Sequence, residues 1–177
     1  THASDAWVSQ PEWSACMDLD KVVDATDAVV LGFDGSRGRN RGTADATALI
    51  GCRISDGHMF EVKVWEQPPG PAGKDWTPNA QDVDAVVRES FDRWKVVGLY
   101  ADPSGWAEQV ARWEATFNRR LKVRASQNTP NVFRPRGKDA KVEEYVERLR
   151  LSVVNGEVSH DGSSALGRHM LNARRRT

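Results

Sequence analysis

The sequence predicts an α/β chain. A mixed central sheet, in which an antiparallel three-strand meander adjoins parallel strands, is flanked by helices. Three observations carry this expectation. Strand-like runs at 28–34, 46–52 and 59–65 are separated by turn signals. A stretch at 80–94 with helical spacing leads directly into another apolar run at 96–101. That last run does not alternate, as expected of a strand covered on both faces, and the helix before it is the crossover that a parallel partner of the first strand requires.

Residues 1–27 are aromatic and irregular, with Trp7, Pro11, Trp13 and Cys16, and are expected to form a lead-in segment packed on a domain spanning 28–177. The first strand is Ala28-Val29-Val30-Leu31-Gly32-Phe33, closed by Asp34. A basic, glycine-rich turn covers 35–44. The Ser55-Asp56-Gly57 turn is short enough to make the next two strands antiparallel. A Pro/Gly-rich surface loop, 67–79, precedes a helix whose buried stripe is Val83, Val86, Val87, Phe91 and Trp94. After the strand at 96–101, Ser104 is placed to cap a helix with the stripe Trp106, Val110, Trp113 and Phe117. A short strand near 121–123, a polar loop over 126–137 and a helix over 138–151 follow. Asn155-Gly156 signals a hairpin within 152–160, and Leu166, Met170 and Leu171 imply a last helix after Asp161.

The 177 residues suffice for one domain with a full core. Hydrophobic residues make up 39% and charged residues 28%, ordinary values for a globular chain. No apolar run approaches the roughly 20 residues of a membrane helix. The N-terminus has neither a signal-peptide layout nor an initiator Met, which suggests a piece of something longer. Cys16 and Cys52 lack metal-type spacing and are expected to be free, reduced thiols of a cytoplasmic protein. Zero net charge hides an asymmetry: residues 1–110 hold 10 Lys and Arg against 18 Asp and Glu, and residues 111–177 hold 15 against 7. The basic end suits a polyanion such as DNA.

The acids at element ends carry the chemistry. Asp34 closes the first strand and Asp102 follows the strand at 96–101. Parallel pairing of those strands makes the two acids neighbours at the carboxyl edge, where functional groups gather in such sheets. Asp161, just before the last helix, joins them if that helix crosses the same edge. Carboxylates on rigid elements suit Mg²⁺ or Mn²⁺, hard cations that prefer oxygen. Each acid alone also has a plain structural reading: a turn residue at Asp34, a helix-start acid at Asp102 and an N-cap at Asp161.

Phe33-Asp34-Gly35-Ser36, Asp45-Ala46-Thr47-Ala48-Leu49, Leu99-Tyr100-Ala101-Asp102-Pro103, and His160-Asp161-Gly162 with His169 and Asn172-Ala173 stand in an order that resembles the nuclease domain of the terminase large subunit of tailed bacteriophages. The resemblance covers roughly residues 7–173. It implies an RNase H-like fold and an endonuclease that cuts concatemeric double-stranded viral DNA during genome packaging, in the host cell cytoplasm. It also implies that Asp34, Asp102 and Asp161 are the catalytic triad. Asp34 would bridge two Mg²⁺ or Mn²⁺ ions, which at about 3.5–4 Å apart activate a water and neutralise the leaving oxygen. The implied partners are DNA, an upstream ATPase motor domain, the small terminase subunit and the portal. The chain carries no G-x-x-x-x-G-K-[ST] loop, because Gly73-Lys74 is followed by Asp75 and Gly137-Lys138 by Asp139. The family's further acid after the first is not found in 37–41, which leaves Asp45 as its candidate substitute.

Asp45 and His160 are expected to flank the metal ligands. Arg37, Arg39, Arg41, Arg134, Arg136, Lys138 and Lys141 are candidates for DNA phosphate contacts. Trp94, Trp106 and Trp113 fall on helical stripes and are expected in the core. Two other functions suit the same residues: a Holliday-junction resolvase or transposase-type nuclease of this fold, and a DNA-gripping docking module with latent cleavage.

Overall fold

The computed structural model describes residues 6–36, 45–124 and 140–174. In chain order the elements are α1 (Gln10–Ala15), β1 (Ala28–Asp34), β2 (Thr47–Arg53), β3 (His58–Trp65), α2 (Ala80–Arg93), β4 (Lys95–Ala101), α3 (Ala107–Phe117), α4 (Ala140–Val154), β5 (Ser159–His160) and α5 (Ser164–Asn172). The strands form one mixed sheet in the order β4-β1-β2-β3-β5. β1 runs parallel to β4, and β3 parallel to β5. The four-residue turn 54–57 makes β2 and β3 antiparallel. The expected meander and its parallel neighbour are both present, with helices flanking the sheet.

Packing divides the chain into two units, Thr1–Val23 with Cys52–Glu61 and Pro135–Thr177, and Asp24–Gly51 with Val62–Arg134. In the second unit, β1 alternates as a half-covered strand: Val29, Leu31 and Phe33 are buried, whereas Gly32 and Asp34 are exposed. Phe33 meets the edges of Trp106 and Trp113 at 5.4 and 5.0 Å between ring centroids. Asn79 caps α2 by accepting from the Gln81 and Asp82 N–H groups. Asp84 on α2 accepts from Gln109 Nε2 and Trp113 Nε1 on α3, at 2.6 and 2.8 Å. Apolar stripes and a satisfied polar bond therefore join the two helices. Trp94, Trp106 and Trp113 are buried as expected.

Two local expectations in this unit are corrected. Ser104 does not cap α3, which starts after Trp106 without a side-chain cap. The Ser104 N–H instead donates to Asp102 Oδ1, because Asp102-Pro103-Ser104 closes as an Asx turn. Residues 121–123 form no strand: a 3-10 turn at Asn118–Arg120 leads in, and Lys122 N–H donates a single bond to Val97.

The first unit differs from expectation at both ends. The lead-in contains α1, opened by a reciprocal capping box in which Ser9 Oγ accepts from Glu12 N–H and Glu12 Oε2 from Ser9 N–H. The Ser9-Gln10-Pro11-Glu12 pattern is its sequence signature. Asn155-Gly156 closes α4 rather than turning a hairpin. Glu157 N–H bonds Ser152 O at 2.8 Å and Gly156 N–H bonds Val153 O at 3.1 Å, with Gly156 at φ 67°, a Schellman ending. The chain then pairs as β5 with β3, in the register Met59↔His160.

Both cysteines are free, Cys16 buried and Cys52 half-buried. Burial raises both thiols above their ordinary pKa, so neither is primed as a nucleophile. Among the described residues no helix is long and apolar enough to cross a membrane.

Candidate functional site

The parallel pairing of β1 and β4 runs to Phe33↔Ala101, and Asp34 and Asp102 are the next residue on each strand. The ladder continues one bond further, from Asp102 N–H to Phe33 O at 3.0 Å. The two acids therefore stand side by side at the carboxyl edge, on strands about 4.8 Å apart. Asp34 is exposed and Asp102 half-buried.

Each acid sits on a pinned turn. After Asp34, Ser36 is held on Thr47, the first residue of β2: Ser36 N–H donates to Thr47 Oγ1 at 2.9 Å, and that hydroxyl donates to Ser36 O at 3.1 Å. Thr47 is fully buried, so these bonds are its own satisfaction as well. After Asp102, the Ser104 N–H bond to Oδ1, at 2.8 Å, orients the carboxylate. Trp106 N–H closes the turn on Pro103 O at 2.9 Å.

Asp161 belongs to the other unit. Its Oδ2 accepts from Glu61 N–H and its Oδ1 from Ser163 N–H, both at 2.9 Å, while its own N–H donates to Met59 O. The N-cap of α5 is Ser163, whose side chain accepts from Leu166 N–H. The Ser163 hydroxyl also donates to the Glu61 carboxylate. Asp161 thus ties the start of α5 to β3.

His160 packs inside the same unit, 3% exposed and stacked on Trp13 at 4.0 Å. Gly162 N–H donates to its Nδ1 at 3.1 Å, which places the ring proton on Nε2, facing Trp13 O at 2.9 Å. Both ring nitrogens hold structure.

Asp45 is exposed, two residues ahead of Thr47, and His169 is exposed in the last turn of α5. Arg37, Arg39, Arg41, Arg134, Arg136 and Lys138 lie outside the described residues, and Lys141 stands in the first turn of α4. Among the described residues no group of three or more His, Cys, Asp and Glu forms a metal cage. What the fold brings together is the pair Asp34 and Asp102. Sequence reasoning overlooked the groups that shape these acids, Thr47, Glu61 and Ser163. A threonine opening a strand and an acid inside one were the available signals.

The pair suits a hard cation. Mg²⁺ is commonly held by one or two carboxylates and keeps waters for the rest of its shell.

No family model matches the chain. The chain is similar to the Gene 13 proteins of Mycobacterium phages L5 and D29, 39% identical to each over 98% of its length. It spans 30% and 29% of those relatives. Its structure is similar to the HK97 bacteriophage large terminase, with TM-score 0.61, 17% identity, and 96% of this chain and 36% of that one covered. It is also similar to the large terminase nuclease of the thermophilic phage G20c, with TM-score 0.58, 13% identity, and 98% and 84% coverage. The cobalt-bound form of that nuclease gives a TM-score of 0.51 at 14% identity, with 99% and 84% coverage. The chain has the RNase H-like fold of the large-terminase nucleases, as the resemblance implied.

Proposed function

We propose that this chain is the nuclease part of a phage large terminase subunit, a metal-dependent endonuclease that cuts double-stranded DNA during genome packaging in the host cytoplasm. The observation that carries the proposal is the Asp34–Asp102 pair, set side by side at the carboxyl edge of parallel strands. The fold it shares with large-terminase nucleases, one of them described with bound cobalt, supports the same reading.

The two carboxylates supply hard oxygen donors at strand ends, the Asp102 carboxylate oriented by the Ser104 N–H and the turn after Asp34 held by Thr47 on Ser36. Two Mg²⁺ or Mn²⁺ ions bound there would supply a water of lowered pKa and neutralise charge on the leaving oxygen. Asp34, the more exposed acid, is proposed as the shared ligand, and Asp102 as a ligand oriented by its Asx turn. Asp161 enters the proposal as the third acid, a role that experiment must separate from its bonds to Glu61 and Ser163. The proposed partners are DNA, an ATPase motor domain, the small terminase subunit and the portal.

The test is plasmid cleavage by purified protein with Mn²⁺ or Mg²⁺. Asp34→Asn and Asp102→Asn should each lower the rate at least about 100-fold, with the circular dichroism spectrum unchanged. Variants that cut as fast as the parent, or cutting that survives EDTA, would sink the proposal. Preference for four-way junctions would point instead to a resolvase, and tight binding without cutting to a DNA-gripping module.

A further inference from the structure

We propose that Trp106 is a positioning residue for the metal pair, setting the separation of Asp34 and Asp102 by wedging its indole against Gly35. The inference rests on the reading of those two aspartates as metal ligands.

Gly35 directly follows Asp34. A Cβ at Gly35 would lie 2.5 Å from Trp106 Nε1 and 2.8 Å from Phe33 Cε1, and closer still to Trp106 Cδ1. No side chain larger than hydrogen fits unless the indole moves, and the indole is 2% exposed and packed edge-on to Phe33. Trp106 therefore touches residues on both sides of Asp34. It also lies four residues after Asp102, at the end of the turn closed by its own N–H on Pro103 O. Phe33 in turn receives the Asp102 N–H on its carbonyl. Trp106 thus joins both acid-bearing turns, its indole against Gly35 after Asp34 and its backbone N–H on Pro103 O after Asp102, so that in this proposal the seat of the indole sets how far apart the two turns stand.

The test measures Mn²⁺ binding by electron paramagnetic resonance, with no DNA and no turnover. Gly35→Ala should weaken Mn²⁺ binding at least about tenfold, the usual scale for groups that orient ligands. Trp106→Leu should do the same, and adding Gly35→Ala to Trp106→Leu should cost less than about twofold more, because the indole is gone. Trp113→Phe, on α3 and away from Gly35, is the control: it should lower the melting temperature without weakening Mn²⁺ binding.

Parent-like Mn²⁺ affinity in Gly35→Ala overturns the positioning role. So does a Trp106→Leu loss no larger than that of Trp113→Phe, a comparison that decides the matter even where Gly35→Ala fails to fold. In both cases Asp34→Asn and Asp102→Asn still abolish binding and the metal site stands. If those two variants bind Mn²⁺ as the parent does, the metal site itself is refuted, and the positioning role with it.

Discussion

Asp161→Asn decides between two roles for the same carboxylate. The side chain accepts two backbone N–H bonds of 2.9 Å, from Glu61 on β3 and from Ser163 at the start of α5. Hydrogen bonds to a charged acceptor contribute about 1.5–3 kcal/mol each, and half-burial puts these near the lower end. An amide keeps one of them as a neutral bond of about 1 kcal/mol and turns an NH₂ group toward the other N–H. The expected loss is about 2–3 kcal/mol, an estimate built from those same contributions. For a chain of 177 residues that is a fall of about 4–12 °C in melting temperature. Thermal unfolding followed by circular dichroism measures it, and hydrogen exchange at the Glu61 amide should accelerate. A melting temperature within one degree or so of the parent would refute the structural role. The Mn²⁺ affinity of the same variant reports on the metal role separately, since a ligand lost from the metal weakens binding whatever happens to the melt.

Thr47→Val keeps the shape of a fully buried side chain but removes the two bonds that Thr47 Oγ1 makes with the Ser36 backbone. It should cost about 1–3 kcal/mol in urea unfolding, and an unchanged midpoint would count against the pinned turn. Gly156→Ala meets open space but must adopt φ 67°, so it should cost about 1 kcal/mol by the same assay, and a neutral or stabilising result would refute the Schellman ending. Acid should weaken the fold in two stages. Burial first, then the Arg53 charge, lowers the pKa of His58, so the unfolded chain takes up a proton that the folded chain resists, and stability drops as pH falls below the ordinary histidine value of about 6.5. The hydrogen bond from Arg53 is the largest influence on Asp56, and it and Lys21 hold that carboxyl well below its usual range; its contribution is complete above about pH 4 and is lost on further acidification. Unfolding free energies that stay level from pH 7 to about 5 would contradict the His58 assignment.

Much of the architecture was legible because burial writes a period into the chain. The apolar run of β1, closed by Asp34, and the stripe Trp106, Val110, Trp113, Phe117 on α3 each mark what leaves water, whereas the alternate burial within β1 shows only in the fold. The misreadings came where one signal serves two structures. Asn-Gly supplies the same positive φ to a hairpin and to a helix end, and only the carbonyls of Ser152 and Val153 waiting behind Gly156 chose the latter. Ser104 precedes a helix as a cap would, yet the Asx turn it forms with Asp102 leaves Trp106 at the cap position, two residues further on, a shift that periodicity does not record. The capping box Ser9–Glu12 stands in the sequence, but the six-residue helix it opens has too short an apolar stripe to show a helical period.

The amino-acid order alone determined that two acids end two apolar strands, and the crossover helix between them made parallel pairing the economical arrangement; their neighbourhood at one edge follows from local pattern and chain connectivity. What those acids touch was decided by tertiary structure. Thr47 under Ser36, the indole against Gly35, and the two amides on Asp161 are contacts between residues 11, 71, 100 and 2 positions apart. Period and propensity describe how a segment divides between water and core. They carry no information about which distant backbone group arrives opposite a given carboxylate, and that arrival is what turns an acid into a ligand or a strut.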